Sequence, residues 1–93
     1  MAFYIDTIEQ VKKSEGGVNE YGQRAIQKNS DGSFMTFEQT ESAYFTKLAN
    51  VANDLITPEN PNKNHYYMDI RIVDSTGGVL EKKTLGTLQK DNA

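Results

Sequence analysis

Between residues 65 and 74, apolar and polar side chains alternate. Tyr66, Met68, Ile70 and Ile72 form one set, and Tyr67, Asp69, Arg71 and Val73 the other. Successive side chains of a strand point to opposite faces, so this period of two predicts a strand with one buried face. A turn at 74–78, with Gly77 left-handed, leads into a return strand over 79–87.

Residues 37–56 carry a different period. Tyr44, Phe45, Leu48, Val51, Ala52, Leu55 and Ile56 recur at three- and four-residue spacing, which predicts one apolar stripe on a helix. Lys47, Asn50, Asn53 and Asp54 fall mostly on the opposite side. Thr36 and Gln39 form a capping-box pattern, and Glu38 and Glu41 suit the positive end of the helix dipole. Pro58 and Pro61 stop the helix, and the polar residues 57–64 predict an exposed loop.

The first third supports two readings. In one, residues 3–12 form a strand, 13–18 a turn and 19–28 the return strand. In the other, a short helix starts at Asp6, with Asp6 and Glu9 as its capping box and Tyr4, Ile8 and Val11 sharing a face. A repeated phrase favours the hairpin: Ser14-Glu15-Gly16-Gly17-Val18 matches Ser75-Thr76-Gly77-Gly78-Val79 in Ser, Gly-Gly and Val. Gly supplies the positive φ that hairpin loops need, so the two phrases predict two hairpins with one turn chemistry. The order becomes ββαββ. The fold class is α+β: a four-stranded antiparallel sheet with one long helix packed on one face. Residues 1–93 form a single domain with a frayed tail from about 88 to 93. The sheet face away from the helix, with Tyr67, Arg71 and Val73, is the expected partner surface, and the edge strands are a further place where a second molecule could attach.

Composition narrows the function. The chain has 93 residues, of which 37% are apolar and 10% aromatic, so its core is small and pairing with a second copy, as a homodimer, is expected. The net charge is −3, with ten basic residues scattered among thirteen acidic ones. Nucleic-acid binding relies on clustered Lys and Arg, so it is not expected. There is no Cys, which removes disulfides, thiolate zinc sites and Cys nucleophiles and fits a cytoplasmic protein. The opening Met1-Ala2-Phe3-Tyr4-Ile5-Asp6 lacks the features of a signal peptide, and no apolar run approaches the roughly 20 residues of a membrane span.

Candidate chemistry is sparse. Residues 27–38 resemble an EF-hand loop, D-x-[DN]-x-[DN]-G-x5-E, with Asn29 at position three, Asp31 at five, Gly32 at six and Glu38 at twelve. Oxygen ligands at that spacing wrap a hard cation, and Gly permits the bend. Position one is Gln27, however, and a strand precedes the loop. Both points favour a plain polar turn leading into a capped helix. Tyr66, Tyr67 and Arg71 offer rings and a cation for a single-stranded nucleic acid, but without a basic surround. His65 is the only histidine, and its place beside a polar loop predicts a solvent-exposed strand start. No G-x-S-x-G accompanies the serines, and neither Gly pair has a P-loop Lys. No catalytic constellation emerges, so neither an enzyme nor a cofactor is expected.

One resemblance adds to this. Phe37-Glu38-Gln39-Thr40-Glu41-Ser42-Ala43-Tyr44-Phe45 leads through Leu48-Ala49 and Ala52 to Met68-Asp69-Ile70-Arg71-Ile72-Val73-Asp74-Ser75-Thr76-Gly77-Gly78-Val79-Leu80. This second half resembles small, largely uncharacterised phage and prophage proteins of low-GC Gram-positive bacteria. The resemblance supplies no catalytic residues. It implies an accessory role: binding a host or phage macromolecule.

Overall fold

The computed structural model describes residues 1–90. They form β1 (Phe3–Lys12), β2 (Val18–Ile26), α1 (Phe37–Ala52), β3 (His65–Asp74) and β4 (Val79–Gly86). The two repeated phrases close with the same two hydrogen bonds, although their second glycines differ, Gly17 being at φ 96° and Gly78 not at positive φ. Lys13 donates its N–H to Gly17 O and accepts from Gly16 N; Asp74 donates to Gly78 O and accepts from Gly77 N. Gly16 and Gly77 have φ near +90° (90° and 89°), where a Cβ would strain the chain. A third copy was hidden in the sequence. Asn29-Ser30-Asp31-Gly32-Ser33 makes the same two hydrogen bonds, with Gly32 at φ 87°, and closes a miniature hairpin between Lys28 and Phe34.

The hairpin reading of the first third holds. β1 pairs antiparallel with β2 in unbroken register from Tyr4 opposite Ile26 to Lys12 opposite Val18. The return strand stops at Ile26 rather than 28, because Lys28 is already engaged in the miniature hairpin. The sheet is antiparallel throughout, in the order β2-β1-β3-β4, so β1 and β3 are central and β2 and β4 are edges. Helix α1 provides the crossover between the hairpins and covers one face. Beneath it Ile5 lies opposite Ile72, Thr7 opposite Ile70 and Glu9 opposite Met68. Tyr44, 1% exposed, and Val51 close the core from above, with Leu48 and Leu55 packed at its margin.

The helix begins as expected. Thr36 Oγ1 accepts from Gln39 N and the Gln39 side chain accepts from Thr36 N, which completes the capping box. It ends at Ala52, not at residue 56. The Asp54 carbonyl accepts N–H groups from both Asn64 and His65, and Ile56 N donates to His65 O, so the chain leaves the helix to pair with the start of β3. The helix phase also needs correction. Phe45 is 54% exposed and Ala52 is exposed, whereas Thr40 is fully buried. A single sheet is covered by a narrow stripe, so Phe45 falls to one side and rests its ring edge-on against Tyr44.

The tail is held further along than expected. Gln89 N donates to Gln10 Oε1 at 2.6 Å, and Gln10 Nε2 donates to Gln89 O at 3.0 Å. The remainder of the expected frayed segment, 91–93, lies outside the described residues. Among the described residues, no helix is long and apolar enough to cross a membrane.

Candidate functional site

The alternation that buries Ile5 and Ile70 puts their neighbours on the other face of the sheet, which no helix covers. Cross-strand register orders this face into rows. Arg24, Asp6, Arg71 and Lys82 lie side by side; the next row is Gly22, Ile8, Asp69 and Thr84. Arg24 grips Asp6 with two hydrogen bonds, Nε to Oδ1 at 2.8 Å and Nη2 to Oδ2 at 2.7 Å, and its guanidinium sits 5.5 Å from the centre of the Tyr4 ring. Arg71 holds Asp69 the same way, at 3.0 and 3.2 Å. Each guanidinium is thus paired with a carboxylate of its own chain, and the same hydrogen bonds raise the pKa of both arginines. Between the pairs stands Ile8, 48% exposed, and beyond them Ile26, 43% exposed.

Of the expected partner residues, Tyr67 and Arg71 lie on this face and are partly accessible. Val73 also points to it but is only 3% exposed, so it supports the surface from beneath and is not available for contact. Asp6, Ile8, Arg24 and Ile26 also belong to this face, and none of them is among the partner residues expected from the sequence. A signal for them exists: counting seven residues outward from Lys13 and Gly17 places Asp6 opposite Arg24.

The nucleic-acid candidates are not assembled. Tyr66 and Tyr67 are adjacent in a strand and so project from opposite faces. Tyr66 helps line a groove of about 560 Å³ with Leu55, Ile56, Pro58 and Gly86. The Arg71 guanidinium is committed to Asp69.

The EF-hand-like segment is a closed turn. Asp31 Oδ1 accepts from Ser33 N at 2.9 Å and Ser33 Oγ at 2.6 Å, hydrogen bonds that lower its pKa. Asn29 Nδ2 donates to Ser33 Oγ. Glu38 is exposed in the first turn of α1. A strand and a bridge, not a helix, precede the loop. Among the described residues, no group of three or more His, Cys, Asp and Glu is arranged to hold a metal ion.

His65 departs from expectation. Its side chain is mostly covered, with Nδ1 2.6 Å from Asp54 Oδ2 and Nε2 3.6 Å from Glu9 Oε1. The contact lowers the pKa of Asp54. The ring fastens the turn after α1 to the central strands. Among the described residues, no serine, threonine or cysteine hydrogen-bonds to it, and none belongs to the cluster it forms with Glu9, Asp54 and Lys47.

Comparison of the chain with protein-family models, with curated proteins and with solved structures gives no match in any of the three.

Proposed function

We propose that this protein is a small, non-catalytic interaction module that self-associates and offers the sheet face opposite α1 to a protein partner. The carrying observation is that face itself. It sets exposed Ile8 and Ile26 among two internally neutralised Arg–Asp pairs and the Tyr4 and Tyr67 rings. Apolar side chains framed by the two Arg–Asp pairs form a centre that can be dried without parting either charge from its counter-charge, and Lys82 lies outside that centre, on the β4 edge of the row. The accessory role implied by the phage-type resemblance agrees with this reading, and the cysteine-free composition suits the cytoplasm.

Sedimentation velocity over a range of concentrations tests the self-association, and a dimer is the expected species. A chain that stays monomeric throughout removes that part. Replacement of Ile8 by Glu tests the face: partner capture by the native chain should be lost, while the circular dichroism spectrum is unchanged.

A further inference from the structure

The two edges of the sheet are built differently. Strand β4 carries Lys82 and Lys83 and a register shift between Ile72 and Val73 of its neighbour, devices that discourage further pairing. Strand β2 has no Lys, no Pro and no bulge. Its ladder to β1 is bracketed by Gln27 N donating to Phe3 O and Lys13 N donating to Gly17 O. In an antiparallel pair the hydrogen-bonded positions alternate. Residues 19, 21, 23 and 25 therefore bond to β1, and Val18, Glu20, Gly22, Arg24 and Ile26 point their N–H and C=O groups outward.

Gly22 sits at the midpoint of β2. Its φ is not positive, and a Cβ built on it would meet nothing within 4 Å. The fold itself therefore does not require glycine there. A glycine in a strand often marks the close approach of another backbone.

We propose that the chain dimerises by antiparallel pairing of β2 with β2 of a second copy, with the two-fold axis at Gly22. The inference rests on the self-association proposed above and names its surface. In this register Gly22 faces Gly22 of the other copy, Glu20 faces Arg24, and Val18 faces Ile26, each pair occurring twice except the one on the axis. The whole strand overlaps, and all five outward positions form hydrogen-bonded pairs, giving roughly ten new backbone bonds. Opposite charges and apolar residues meet directly across the junction. Centring the axis on residue 20 opposes Glu20 to itself, and centring it on 24 opposes Arg24 to itself. The intermediate registers leave Glu20 against Gly22 or Arg24 against Gly22. The product is a continuous eight-stranded sheet that joins the two helix-free faces side by side, with each Arg24 bridging its own Asp6 and the other copy's Glu20, whose carboxylate also accepts from Gln10 Nε2 of its own chain at 3.1 Å.

Sedimentation velocity of three variants decides the matter, with circular dichroism verifying their fold. Gly22→Pro removes only an outward N–H, which an edge strand tolerates, and should be monomeric where the native chain is dimeric. Glu20→Lys and Arg24→Glu each place like charges in contact and should be monomeric alone. Mixed together they should form a heterodimer, because the introduced lysine then meets the introduced glutamate while the native Arg24 of one chain meets the native Glu20 of the other. A variant merely damaged in its fold would not be rescued by mixing. A native dimer that survives Gly22→Pro, or single variants that stay apart on mixing, overturns the edge assignment and leaves self-association standing. A native chain that is monomeric at every concentration overturns both.

Discussion

Lys47 Nζ lies 3.0 Å from Glu9 Oε1, joining the middle of α1 to the middle of β1. Glu9 is on the face that the helix covers, and its Oε1 atom is buried, in ion-pair contact but without hydrogen-bond geometry. Helical periodicity alone places Lys47 on the polar side. It lies instead at the border of the packed stripe, where its long stem lets the ammonium reach inward.

Lys47→Ala is therefore not neutral. It leaves a buried carboxylate oxygen with only His65 nearby, at 3.6 Å. The pair is partly exposed, which tempers the effect, so the expected cost is about 1 kcal/mol. Asn50→Ala, at an exposed position, should change stability by less than about 0.5 kcal/mol. Urea denaturation compares them. Adding Glu9→Gln to Lys47→Ala should recover part of the loss, and a strictly additive double variant would show that the two residues are uncoupled.

Neighbouring aromatics report the helix phase. Tyr44→Ala should cost about 3–5 kcal/mol, as for other buried aromatic truncations, and Phe45→Ala less than about 1 kcal/mol. Leu48→Ala, at the margin of the core, should fall between them. Equal losses at 44 and 45 would mean that α1 is rotated from the orientation described.

Acid should loosen the domain through its aspartates. Hydrogen bonds from His65 to Asp54, and from Thr76 and the backbone of Gly78 to Asp74, hold both carboxyls below their ordinary value of 3.8. A depressed folded pKa means that these contacts stabilise fully above the unfolded value and are lost as pH falls through the folded value. Thermal midpoints should be level near pH 6 and fall below about pH 4. Asp54→Asn should flatten that fall; an unchanged acid limb would detach Asp54 from it.

Two glycines at positive φ should respond differently to alanine. Gly32, at φ 87°, has open space around its missing side chain, so Gly32→Ala should cost only the backbone strain of about 1 kcal/mol. At Gly86, φ 73°, a Cβ would run into the carbonyl oxygen of Tyr66 and press on Leu55. Gly86→Ala should cost about 2–3 kcal/mol and shift the amide signals of Tyr66 and Thr87, whose N–H donates to that same oxygen. Similar losses at both sites would contradict the close approach of β4 to Tyr66.

Local pattern by itself determined most of the elements. Period-two alternation places β3 at residues 65–74, the repeated Ser-x-Gly-Gly-Val phrase marks both hairpin turns, and the Thr36–Gln39 box starts α1; each signal lies within a few residues of the chain. Even the Asp6–Arg24 pair follows from the turn, because a tight loop fixes register and register fixes every opposite pair. Tertiary structure alone decided the rest. Where α1 ends, which of its sides is dry and why Val73 is buried depend on partners far along the chain. His65 meets Asp54 across eleven residues, Lys47 reaches Glu9 across a strand, and Gln10 clasps Gln89 at a separation of 79. Such contacts leave no periodic trace, because a long polar side chain reads as solvent-facing until the packed elements around it supply its counter-charge or its hydrogen-bond partner.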